Sequence, residues 1–210
     1  MKPLIIANWK MNPQTLEEAK ALFNAVKNTK AIICPPFVYL SDLRASGAQD
    51  CFYEEKGAYT GEVSPLMLKN MGIKYVIIGH SERRKYFRET NEIIEKKLKA
   101  ALKMGLKPIL CIDKTSQISP DIKRNLIIAY EPLFAIGTGK ACSPERAKKM
   151  RLAIRKVVGS KTLILYGGSV NSQNARGYLA QAGFQGLLVG GASLKSKEFI
   201  DIIKRTCYAE

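Results

Sequence analysis

The sequence predicts a single-domain, closed parallel (β/α)8 barrel spanning residues 1–210, and three observations carry that expectation. Short apolar runs, most of them rich in β-branched residues, alternate with amphipathic helical patterns along the whole chain. The runs number eight: LIIANW, AIIC, GAQDC, KYVIIG, KPILCI, NLIIAY, TLILYG and GLLVG. Polar residues and glycine pairs follow directly after several of them, where a barrel carries its chemistry. An open doubly wound sheet is the competing arrangement, and the count of eight β-then-helix units favours the barrel.

Taken in order, the helical patterns fall at 15–27, 38–45, 65–70, 91–104, 144–158, 172–182 and 195–205. The stretch EIIEKKLKAALKMG shows the type, with Ile93, Ile94, Leu98, Ala101 and Leu102 on one stripe and charges on the other. The link 113–125 between the fifth and sixth strands is too short for a helix that climbs back along a strand, which needs roughly 11–13 residues plus turns. Ser119 and Pro120 there suit an N-cap and first helical position, so we expect an extended return with one helical turn near 121–124. The outer face of strands five and six then loses its helical cover, bringing Ile109 or Ile127 closer to solvent. Either Ile118, Ile122 and Leu126 fold over that groove, which we favour, or a neighbouring subunit covers it.

A length of 210 residues with 46% hydrophobic content supports one sizeable core. The N-terminal apolar run is too short for a secretory signal, and no stretch reaches membrane-spanning length, so a soluble, cytoplasmic protein is expected. The net charge of +16 suits nucleic acid, an anionic surface or a small anionic substrate. It is spread over nearly every helix and has no interleaved aromatics, which speaks for a solvated outer face and against a nucleic-acid or membrane partner. The five cysteines lack CxxC spacing and read as buried, reduced thiols.

The most informative stretch is IIAYEPLFAIGTGK. It presents Glu131 at a strand end, held away from helix by Pro132. Leu133, Phe134, Ala135 and Ile136 then form an apolar segment, followed by Gly137, Thr138, Gly139 and Lys140 as a flexible second hinge, a pattern suited to a moving lid. Alone, this stretch fits an ordinary loop with a solvated glutamate equally well. His80, the only histidine, stands at the fourth strand's end before SERR, where a short helix N-terminus would favour neutral imidazole. Lone histidines are usually structural; sharing a face with Glu131 tips this one toward function. Lys10 reads as a fixed positive charge at the barrel mouth or as a surface lysine. YGGSVN places Gly167, Gly168 and Ser169, and LLVGGASLK places Gly190 and Gly191, where backbone N–H groups can hold a phosphate or simply make tight turns.

The segments ANWKMN, GAYTGEVSP, IIGHSERR, AYEPLFAIGTGK, YGGSVN and LLVGGASLK, in that order, resemble the triosephosphate isomerase family over nearly the whole chain. The resemblance implies interconversion of dihydroxyacetone phosphate and D-glyceraldehyde 3-phosphate, in glycolysis and gluconeogenesis, with no metal and no organic cofactor. It implies Glu131 as base and His80 as neutral electrophile, a division of labour for which this family is itself the known example. Lys10 and Asn8 would stabilise the enediolate, with Ser81, Glu82 and Cys111 in support. Gly137, Ser169, Gly190 and Gly191 would hold the phosphate. Thr60 and Gly61 would lie in a loop that reaches a second subunit, giving a homodimer, with a tetramer as the alternative assembly.

The chain departs from the family pattern at Phe134, where tryptophan is usual, at CIDK (111–114) in place of CIGE, and at Asp50 in place of asparagine. Phe134 offers no donor and Lys114 no acceptor, so the usual indole-to-carboxylate latch is lost at both ends and apolar packing is expected to hold the lid. The links between strands two and three and between five and six are both trimmed.

Overall fold

The computed structural model describes residues 2–122, 125–137 and 139–207. Thr138 of the expected lid and the last two positions of the expected turn at 121–124 lie outside the described residues. Eight parallel strands, β1 (Leu4–Asn8), β2 (Ile32–Cys34), β3 (Gly47–Ala48), β4 (Tyr75–Ile78), β5 (Lys107–Ile112), β6 (Ile127–Tyr130), β7 (Leu163–Tyr166) and β8 (Gly186–Val189), form one sheet in the order β2-β1-β8-β7-β6-β5-β4-β3. The two ends of that order meet at Gly47. A β-carbon there would stand 2.4 Å from Cys34 Sγ and 2.8 Å from Ile32 Cγ2, so only glycine lets β3 lie this close to β2 and bring the barrel near to closure.

Among the described residues there are eight α-helices, two of them between β4 and β5 and none between β5 and β6: α1 (Leu16–Val26), α2 (Leu40–Leu43), α3 (Pro65–Asn70), α4 (Ser81–Tyr86), α5 (Asn91–Lys103), α6 (Pro144–Val158), α7 (Ala175–Ala180) and α8 (Ser196–Cys207). Local sequence sets their starts. Thr15 and Glu18 make a capping box for α1, Thr90 caps α5, and Ser143 followed by Pro144 opens α6. Expected boundaries shift where tertiary structure wins: GAQDC contributes only Gly47–Ala48 to the sheet, and the pattern at 172–182 is helical over Ala175–Ala180.

Strand alternation divides the side chains into two packed layers. Ile6, Ile32, Cys34, Ile77, Ile109, Cys111, Ile127, Ala129, Leu165 and Leu188, drawn from strands alone, fill the barrel interior. The other parity, including Ala7, Leu110, Ile112, Ile128, Ile164 and Val189, packs outward against the helices. This corrects the expectation for Ile109 and Ile127: both point into the barrel and are buried, because the outward positions of β5 and β6 are the intervening ones.

The short link behaves otherwise as its length requires. One 3-10 turn, Thr115–Gln117, follows β5, and the Ile122 N–H reaches the Ser119 carbonyl at 3.3 Å. Ile118, Ile122 and Leu126 are buried in the outer core, so a single chain covers its own groove. Cys34, Cys51, Cys111 and Cys142 are free and buried.

Candidate active site

Inward parity carries past the strand ends to the barrel mouth. Asn8 and Lys10 continue the series Leu4, Ile6; Glu131 continues Ile127, Ala129; Gly167 continues Leu163, Leu165; Gly190 continues Leu188. These residues, with His80 and Ser169, line a cavity of about 310 Å³. A second cavity of about 690 Å³, lined by Ser81, Glu82, Cys111 and Leu133 among others, shares the wall formed by Glu131, Ile136 and Gly137.

Glu131 is buried and its Oε1 lies 3.3 Å from His80 Nε2, while its other oxygen, Oε2, has no partner among the described residues. The backbone is fixed by its own N–H to the Ile112 carbonyl at 2.8 Å. Cys111 supports the carboxylate from within the barrel. Burial pushes its thiol pKa well up and the neighbouring Glu131 charge adds to this, so the thiol stays protonated beside the carboxylate.

His80 caps α4. Its Nδ1 accepts the Glu82 N–H at 3.2 Å, which leaves the ring proton on Nε2, facing Glu131. Burial is the largest influence on its pKa and pulls it down, but the Glu131 carboxylate, by charge and by hydrogen bond, and then Glu82 more than offset it, so the net direction is up. A second ring proton would have to displace the Glu82 N–H from Nδ1, and the neutral ring is the form this hydrogen-bond pattern accommodates.

Lys10 stands in the left-handed region, φ 55°, with its N–H on Asn8 Oδ1 at 3.0 Å and its ammonium paired to Glu82. Gln49, which the sequence reading passed over, holds this strained backbone: its side-chain amide donates to the Lys10 carbonyl at 2.8 Å and to the Cys34 carbonyl at 2.9 Å. The only sequence signal is its place directly after β3, among residues already facing the mouth.

A β-carbon would be crowded at three of the four paired glycines and would meet nothing within 4 Å at Gly191. A β-carbon on Gly168 would meet the Tyr166 hydroxyl at 2.8 Å, and one on Gly190 would meet Lys10 Cε at 3.3 Å. Ser193, also missed, closes the β8 turn by donating its hydroxyl to the Gly190 carbonyl at 2.7 Å.

The segment expected to form a lid begins with a 3-10 turn, Leu133–Ala135, where Ser169 Oγ donates to the Ala135 carbonyl, and just beyond the segment the Cys142 N–H donates to Tyr166 Oη at 3.3 Å. Ile136, Gly137 and Gly139 face the smaller cavity, Ala135 is buried, and Lys140 is exposed. Phe134 lies outside the cavity, 44% exposed, with the Arg146 guanidinium 4.3 Å from its ring centroid. A cation sits on its face, and Leu133 and Met150 line the same outer groove. Thr60 and Gly61 lie far from the mouth's polar cluster in sequence, on the exposed part of the loop between β3 and α3. Among the described residues no group of three or more histidine, cysteine, aspartate or glutamate side chains is placed to hold a metal ion.

The family model for triosephosphate isomerase matches residues 3–206. The chain belongs to the triosephosphate isomerase family. A triosephosphate isomerase of Dehalococcoides mccartyi (strain ATCC BAA-2266 / KCTC 15142 / 195) is 44% identical over 247 aligned positions, covering 98% of this chain and 98% of the relative. One from Thermoanaerobacter sp. (strain X514) is 41% identical over 244 positions, covering 96% of this chain and 98% of the relative. Both alignments are longer than the 210 residues of this chain, so these triosephosphate isomerases carry segments that this family member has trimmed.

Proposed function

We propose that the chain interconverts dihydroxyacetone phosphate and D-glyceraldehyde 3-phosphate through an enediolate, as an enzyme of glycolysis and gluconeogenesis. The observation that carries this reading is the buried Glu131 carboxylate 3.3 Å from His80 Nε2, in a cavity whose other walls are Asn8, Lys10 and two glycine turns. Glu131 takes a proton from the carbon beside the carbonyl and returns it to the neighbouring carbon. The His80 Nε2–H, the Lys10 ammonium and Asn8 stabilise the oxygens on which charge develops. The turns at Gly168–Ser169 and Gly190–Gly191, with Gly137 of the lid, receive the phosphate. No step calls for a metal or an organic cofactor.

The proposed assembly is a homodimer. Met11, Tyr86 and Phe87 are 83%, 66% and 65% exposed in the single chain, an apolar content that suits a covered surface. Thr60 and Gly61 would reach across it. Burial of Ile118, Ile122 and Leu126 within one chain removes the reason given above for a tetramer. Among the described residues no helix is long and apolar enough to cross a membrane. The proposed location is the cytoplasm, with no nucleic-acid or membrane partner. Two basic side chains of α6 support that view by serving the protein itself: Arg151 donates to the Ala182 carbonyl, and Arg155 donates to the carbonyls of Gly159, Ser160 and Thr162.

The test is a coupled isomerase assay on the purified full chain in both directions. Turnover of both trioses is expected, and its absence overturns the reading.

A further inference from the structure

The Arg146 guanidinium carbon lies 4.3 Å from the Phe134 ring centroid, well within the ~6 Å over which a cation is attracted to an aromatic face. Each partner is anchored. Arg146 is the third residue of the 15-residue helix α6, and its N–H bonds the Ser143 cap at 3.3 Å. Phe134 sits in the 3-10 turn that the Ala135 N–H closes onto the Pro132 carbonyl at 2.8 Å. Among the described residues Arg146 has no carboxylate partner to draw it elsewhere, and it shares an outer groove of about 570 Å³ with Phe134, Leu133 and Lys149. The next two lid residues after that turn, Ile136 and Gly137, wall the catalytic cavity. A short rigid turn thus has a cation clasped to one end and the cavity wall at the other. The clasp also joins the lid's apolar segment to α6, which begins at Pro144, shortly after the second hinge ends at Lys140.

We propose that Arg146 is a positioning residue: by stacking on Phe134 it holds the first lid turn so that Ile136 and Gly137 stay over the catalytic cavity, and it thereby protects the reaction intermediate. The proposal rests on the isomerase reading above. An enediolate that carries a phosphate on the adjacent carbon can eliminate it: the oxyanion's pair forms a carbonyl, the carbon–carbon double bond shifts toward the phosphate-bearing carbon, and the C–O pair leaves with inorganic phosphate, giving an enol. A lid held in place disfavours this route. Phe134 supplies no hydrogen-bond donor and Lys114 no acceptor, so the cation on the ring face takes the place of a hydrogen-bonded latch.

The experiment measures isomerisation and inorganic phosphate release together, on the full chain with D-glyceraldehyde 3-phosphate, for the native protein, R146Q, R146K, F134L and the R146Q/F134L double variant, each checked by thermal melting. R146Q is expected to raise phosphate released per isomerisation about two- to fivefold and to lower kcat/KM by a similar factor, the size an exposed cation–π contact supports. R146K should recover part of this, and R146Q should add nothing in the F134L background. An unchanged phosphate ratio in R146Q, or the same effect of R146Q with and without Phe134, overturns the clasp while leaving the isomerase reading intact. A native protein without turnover overturns both. Should R146Q melt early, F134L and R146K carry the same comparison, and native-like phosphate ratios in both of them would overturn the clasp.

Discussion

Gly167 gives Glu131 its room: a β-carbon at Gly167 would lie 3.2 Å from Glu131 Cγ, with Leu188 Cβ at 3.3 Å closing the other side. The first residue of the double glycine thus adjoins the proposed base as well as the turn proposed to receive the phosphate. Gly167→Ala is expected to displace the carboxylate and lower kcat about ten- to a hundredfold, the scale of an ångström-level misplacement, with little change in KM. A native kcat in that variant would show that Glu131 does not depend on this space.

Glu131→Gln keeps the shape and loses the proton acceptor. We expect kcat to fall on the order of a thousandfold while inorganic phosphate still competes at the site. Retention of more than a tenth of native kcat would remove Glu131 from the role of base.

Asp50, which replaces the asparagine implied by the family pattern, lies in a buried four-charge cluster with Lys97 at 2.6 Å, Arg83 at 2.8 Å and Glu89. Burial pushes its pKa up to about 6, against the pull of Lys97. The fold therefore holds this proton more tightly than the unfolded chain does. Its contribution favours the fold below the ordinary carboxylate value and is lost as pH rises through about 6. Asp50→Asn cannot titrate, so its melting temperature relative to native should climb by several degrees between pH 4 and pH 7, at about 2–4 °C per kcal/mol for a chain of this size. A difference independent of pH would show that Asp50 keeps its charge throughout.

Phe87→Glu places a charge on the apolar surface proposed to face a second subunit. Sedimentation should show a dimer for the native chain and a monomer for the variant, with kcat/KM reduced at least tenfold because the loop of Thr60 and Gly61 loses the second subunit it is proposed to reach. A native monomer with full activity would be decisive against the dimer.

The eight strands and the mouth residues were legible because each depends on local pattern: apolar runs, a proline after Glu131, glycine pairs after β7 and β8. What escaped depends on contacts distant in sequence. Gln49 and Lys10 are separated by 39 positions, and nothing local marks the amide that holds the strained backbone. Arg146 looked like one more solvated charge on α6, and only the fold brings it onto Phe134. The facing of Ile109 and Ile127 was misjudged for a different reason. A run that is apolar on both faces carries no alternation to say which parity points inward, and the register with neighbouring strands decides it.

The trimmed link after β5 leaves one sector of the barrel wall backed by the side chains of a short loop in place of a hydrogen-bonded cylinder. The buried side chains of Ile118, Ile122 and Leu126 cover this sector among the described residues, and a sector covered by a short loop opens at lower free energy than one clamped by its own long helix. The amides of β6 should accordingly exchange with solvent deuterium sooner than those of β7, against which the 15-residue α6 packs, giving the barrel a seam at which opening begins.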